Sequence, residues 1–86
     1  MLQLKAFLDQ LKARHIILRY ELVEDFYHEE DKLPYQLRCS ITTHTGRHFN
    51  PRILSKKTKK GYEETCLKFI DYIEALVPGA KKRNAN

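Results

Sequence analysis

Cysteine is scarce in this chain of 86 residues: Cys39 and Cys66 are the only two. They allow at most one disulfide, where a secreted domain of this size usually carries about two to four. Reduced thiols and an intracellular location, cytoplasm or nucleus, are therefore expected. Long apolar runs are also missing. Nothing approaches the roughly 18 residues that a membrane span needs, and Lys5, Asp9 and Lys12 interrupt any signal-peptide core, so no membrane partner is expected. With three glycines, the chain has no glycine-rich loop to cradle phosphates. Nor has it a serine, cysteine or carboxylate constellation beside a partnering base, or a paired acidic motif to hold magnesium. The expectation is a binding protein with no enzymatic activity and no cofactor.

What is present suits one small folded domain. Hydrophobic residues make up 42% and charged residues 31%, enough apolar material for a core and too much for a disordered segment. A domain of this size buries only about 60–65% of its unfolded surface and has a stability of roughly 4–13 kcal/mol, which favours a binding surface over a deep cleft. The net charge is +5 and the pI near 9.3, a balance suited to a polyanionic partner. It is unevenly spread, because residues 21–32 carry −5 and residues 55–60 carry +4.

Leu4, Phe7, Leu8 and Leu11 recur at the spacing of one helical stripe and predict a helix over 2–15. Leu18, Tyr20 and Leu22 alternate with charged or smaller neighbours, which predicts a strand over 17–24. Residues 25–34 have no periodicity, are strongly acidic and end in Pro34, so they read as a long loop. Tyr35, Leu37, Cys39 and Ile41 alternate with Gln36, Arg38 and Ser40 and give the clearest strand. Beyond turn residues at 43–46, a third strand is predicted over 47–54; Pro51 has no N–H to donate and confines it to an edge or a bulge. From Ser55 onward Tyr62, Cys66, Phe69, Ile70, Ile73, Leu76 and Val77 form a second helical stripe, stopped by Pro78-Gly79. Residues 1–79 make the domain and 80–86 a basic, disordered tail. The order α-β-β-β-α gives an α+β two-layer sandwich, a three-stranded antiparallel sheet covered on one face by two helices.

On a wheel of 100° per residue centred on Tyr62, Phe69, Ile73, Cys66 and Leu76 fall within about 40° and define the buried side. Lys56, Lys57 and Lys60 fall at about 120°, 220° and 160°, away from the core, while Lys59 lies near the boundary and must snorkel. Lysines beside the positive end of the helix dipole cost roughly 0.3–1 kcal/mol each, so helix stability does not explain them. A phosphate contact surface does, and a solvated charge run that keeps the domain soluble is the plainer alternative.

The order of elements and three stretches resemble the double-stranded RNA-binding domain. Leu18-Arg19-Tyr20-Glu21-Leu22-Val23-Glu24 is similar to that family's first strand, Tyr35, Leu37, Cys39 and Ile41 to its alternating second strand, and Ser55-Lys56-Lys57-Thr58-Lys59-Lys60 to its lysine motif. The resemblance spans most of residues 4–77. It implies recognition of A-form RNA by shape, with helix one and the first hairpin loop in successive minor grooves and the lysine motif on phosphates between them. By position it makes Lys56, Lys57, Lys60 and Lys59 phosphate contacts, puts Gln10 in a minor groove, and adds Arg14 and His28 to the RNA-facing set. The partner implied is double-stranded RNA, in RNA processing or silencing.

Several residues depart from that pattern. Pro51 and Ile53 stand where glycines approach the second helix, Lys59 replaces a small alanine, and His28 sits among acidic residues in the hairpin loop. These keep a second reading open: a divergent domain that binds a larger RNA-processing protein, or a second copy of itself, through Leu67, Phe49 and Ile53. Cys39, His44, His48 and Cys66 are ligand types that zinc prefers. Both cysteines, however, lie on apolar stripes, where cysteine commonly serves as a small hydrophobe, and no metal site is assigned.

Overall fold

The computed structural model describes residues 2–81, and residues 82–86 of the expected tail lie outside them. Helix α1 (Leu2–Ala13) leads to strand β1 (Arg19–Asp25), β2 (Gln36–Thr42), two short strands β3 (His48–Phe49) and β4 (Arg52–Leu54), and helix α2 (Lys59–Leu76). The antiparallel sheet has β2 at its centre. β1 pairs along one side, from Arg19 opposite Thr42 to Asp25 opposite Gln36, and β3 and β4 both pair along the other. The fold is the expected α+β arrangement with helix-strand-strand-strand-helix order. No helix among the described residues is long and apolar enough to cross a membrane.

The third strand is broken by Pro51 rather than bulged. Phe49 faces Ile41 and Ile53 faces Leu37, so three residues on each strand lie between the two pairs and the register runs straight through. Pro51 accepts from the Cys39 N–H at 3.0 Å but has no N–H to return. One ladder bond is lost on the outer strand, the one that would have returned to the Cys39 carbonyl.

Period-two alternation decides which side chains meet the helices. Leu37, Cys39 and Ile41 are buried against Leu4, Leu8 and Leu11 of α1 and Tyr62, Cys66, Phe69 and Ile73 of α2. Two tyrosines also tie the layers together. The Tyr20 hydroxyl donates to Asp9 Oδ1 at 2.6 Å; burial and that carboxylate push its phenol up to about 12. The Tyr62 hydroxyl donates to Glu24 Oε2 at 3.2 Å, and burial raises its phenol well above the usual range. Leu18 departs from its expected stripe: it is 47% exposed, and Ile17 is the buried residue. The strand begins only at Arg19, so alternation does not govern Leu18.

The exit of α1 explains that offset. The N–H groups of His15 and Ile16 donate to Lys12 and Leu11 carbonyls at 3.0 and 2.9 Å, the paired bonds of a Schellman cap. His15 holds the left-handed position at φ 60°, which ordinarily belongs to glycine. Replacing His15 by Gly is expected to stabilise the domain by about 1 kcal/mol, raising Tm by about 4–8 °C in a thermal melt. An unchanged Tm would mean that the His15 ring, 5.8 Å from that of His44, offsets the backbone cost. At the other end, Gly79 at φ 82° turns the chain so that Ala80, assigned to the tail from sequence, is buried in the core.

Candidate nucleic-acid interface

Helix α2 starts at Lys59, with Thr58 as its N-cap at φ −107° and ψ 147°. Thr58 Oγ1 accepts from the Gly61 N–H at 3.0 Å. Threonine holds this end better than it would fill a helix interior, and the helix therefore begins later than Ser55. Lys56 and Lys57 precede the first turn, so their wheel angles do not apply, and Lys59 is exposed rather than snorkelling along the core. All four lysines are nevertheless exposed and close together in the chain around the cap. The first turn carries no acidic residue, and the earliest N–H groups of a helix lack carbonyl partners within it.

Gly61 makes that arrangement possible. A Cβ there would lie 2.7 Å from Lys56 Cβ and 2.8 Å from Thr58 Oγ1. Alanine is usually about 1 kcal/mol better than glycine inside a helix, but at position 61 the sign reverses. Gly61→Ala is expected to lower stability by about 1–3 kcal/mol, the usual range for overpacking, as read in a urea titration. A gain in stability would show that Lys56 can swing away at little cost.

The acidic loop and the lysine block meet in space. Lys57 Nζ lies 3.4 Å from Asp31 Oδ2 and 4.6 Å from the ring centre of Tyr27. Tyr27 in turn stacks on Tyr35, with centres 4.1 Å apart and planes 15° from parallel. The His28 N–H donates to Asp31 Oδ2 at 3.1 Å, and the Asp31 N–H closes the turn on the His28 carbonyl at 3.0 Å. Burial alone would raise the Asp31 carboxyl, but the His28 N–H and the Lys57 ammonium outweigh it and hold it below the usual carboxylate range. One of the loop's negative charges is thus matched before any ligand arrives, while Glu29 and Glu30 stay exposed at the tip.

Gln10, Arg14 and His28 are all exposed. Gln10 lies in α1 and Arg14 just beyond it, and among the described residues no hydrogen bond or ion pair joins their side chains to the lysines. Leu67 is 51% exposed on α2. Phe49 and Ile53, expected on a partner surface, are instead half-buried and pack against the core, because their cross-strand partners Ile41 and Leu37 face the helices. Leu54, at the end of the same edge, is the apolar residue that protrudes, at 72% exposure. The zinc-type residues are dispersed. Cys39 and Cys66 are buried thiols, and burial pushes the Cys39 thiol up to about 12. His44 lies against His15, and His48 Nδ1 is 3.1 Å from Thr42 Oγ1. Among the described residues no group of three or more His, Cys, Asp or Glu could hold a metal ion.

Sequence reading missed Tyr27 and Asp31 as neighbours of Lys57, and Tyr35 as the support of Tyr27. Strand register gave no signal for them, because β1 ends at Asp25 and an extended pairing would turn Tyr27 to the face opposite Tyr35.

No family model, curated protein or solved structure matches the chain.

Proposed function

We propose that this domain binds double-stranded RNA by shape and phosphate contacts, as a double-stranded RNA-binding domain serving RNA processing or silencing inside the cell. The observation that carries this reading is the exposed set of Lys56, Lys57, Lys59 and Lys60 gathered around the Thr58 cap, where ammonium groups and helix N–H groups attract the same anion. Gln10, exposed on α1, supplies a minor-groove contact, and Arg14, exposed just beyond the helix, joins the RNA-facing set. The chain contributes binding, and any chemistry on the RNA belongs to another protein. A titration of RNA duplex at two salt concentrations, with DNA duplex as competitor, tests it. Affinity should fall steeply with salt, and RNA should be preferred because its 2′-hydroxyls line the minor groove. Equal binding of the two duplexes would remove the shape component of the reading.

The exposure of Leu54 and Leu67 favours one second reading, a protein-binding or self-pairing module. It predicts a complex in light scattering that survives high salt and is lost on Leu54→Asp or Leu67→Asp.

A further inference from the structure

We propose that the ring of Tyr27 is a stacking platform for an unpaired base at the edge of an RNA duplex, uncovered when Lys57 leaves it for a phosphate. This rests on the duplex reading and names more closely the RNA that the site takes.

Tyr27 is 63% exposed, so it adds little to the core. It is nevertheless not loosely placed. Tyr35 supports it from one side, and the backbone of Tyr35 is fixed in two directions: its N–H donates to the Asp25 carbonyl at 2.9 Å, and its carbonyl accepts from the Ser55 N–H at 2.7 Å. The second of these bonds joins the platform to the residue just before Lys56. An aromatic ring has two faces. Tyr35 takes one, and the Lys57 ammonium stands over the ring at 4.6 Å, holding the other with a contact that an exposed site makes weak.

The two partners of Lys57, the Tyr27 ring and the Asp31 carboxylate, can both be exchanged for a nucleotide. A phosphate oxygen competes with Asp31 for the ammonium, and a base competes with the ammonium for the ring. Each exchange assists the other, because moving Lys57 to the phosphate bares the face that the base needs. An intact duplex keeps its bases stacked inside, so the ligand that satisfies both is a duplex bordered by an unpaired nucleotide. Base type matters little, since every base presents a π-face.

The test uses one RNA duplex in two forms, blunt and with a short single-stranded extension whose first base is the fluorescent 2-aminopurine. The parent protein should bind the extended form about tenfold more tightly and quench its fluorescence. Tyr27→Leu should abolish the preference and the quenching while leaving blunt-duplex affinity within about twofold, and Tyr27→Phe should keep both. Lysine-dependent binding with equal affinity for the two forms, or a preference that survives Tyr27→Leu, overturns the platform and leaves the duplex reading standing. Failure to bind either form removes both.

Discussion

Replacing Lys56, Lys57 and Lys60 together by alanine is expected to weaken blunt-duplex RNA binding by about two to three orders of magnitude near 0.1 M salt. Each phosphate neutralised contributes about 0.9 to the slope of log affinity against log salt, taking duplex DNA as the guide, so three contacts contribute about 2.7. The slope should therefore flatten by that amount as the affinity falls. All three side chains are exposed and none belongs to the core, so the variant should melt close to the parent. Removing positive charge from the positive end of α2 works in favour of stability. Unchanged affinity in a properly folded triple variant would remove these lysines from the interface and with them the duplex reading.

Phe69→Ala should do the opposite, destroying the fold first and binding only as a consequence. Phe69 is fully buried and heads the large side chains of the core, on the same buried stripe of α2 as Tyr62 and Cys66 before it and Ile73 after it. Truncating such a residue costs about 3–5 kcal/mol, through lost transfer energy and the cavity left behind. Against a total of roughly 4–13 kcal/mol for a domain of this length, that lowers Tm by about 12–40 °C. Calorimetry measures it directly. A loss under about 1 kcal/mol would mean that neighbouring side chains collapse into the space. The two variants together separate surface from scaffold: one loses salt-sensitive binding at constant Tm, the other loses Tm and binding together.

The fold was legible in the sequence wherever one periodicity ran long enough to dominate. Leu37, Cys39 and Ile41 alternate without interruption and proved to be the core face of the central strand. Leu4, Leu8 and Leu11, with Tyr62, Cys66, Phe69 and Ile73, kept helical spacing and proved buried. Legibility failed where a local hydrogen bond outranked the pattern. Thr58 capped α2 and left Lys56 and Lys57 outside it, and the left-handed turn at His15 moved the start of β1 past Leu18. Of the candidate site, the exposure of Lys60 was readable from helical spacing and that of Lys56 and Lys57 from composition, whereas Lys59 was expected at the core boundary and is exposed. The contact of Lys57 with Tyr27 and Asp31 was not readable, since it joins residues 26 or more apart across a loop with no period of its own. The partner surface was misplaced for a related reason. Phe49 and Ile53 were read singly, yet cross-strand register carries both inward and turns Leu54 out.

The burial of Ala80 has a practical corollary for anyone building reagents. α2 holds 18 residues, which at 1.5 Å each is about 27 Å, and the chain is pinned again just past its end. A dye coupled at position 81, exposed beside that buried alanine, is therefore anchored at the pole remote from the ammonium cluster. There it can report by resonance energy transfer on an oligonucleotide docked at the opposite pole without obstructing it.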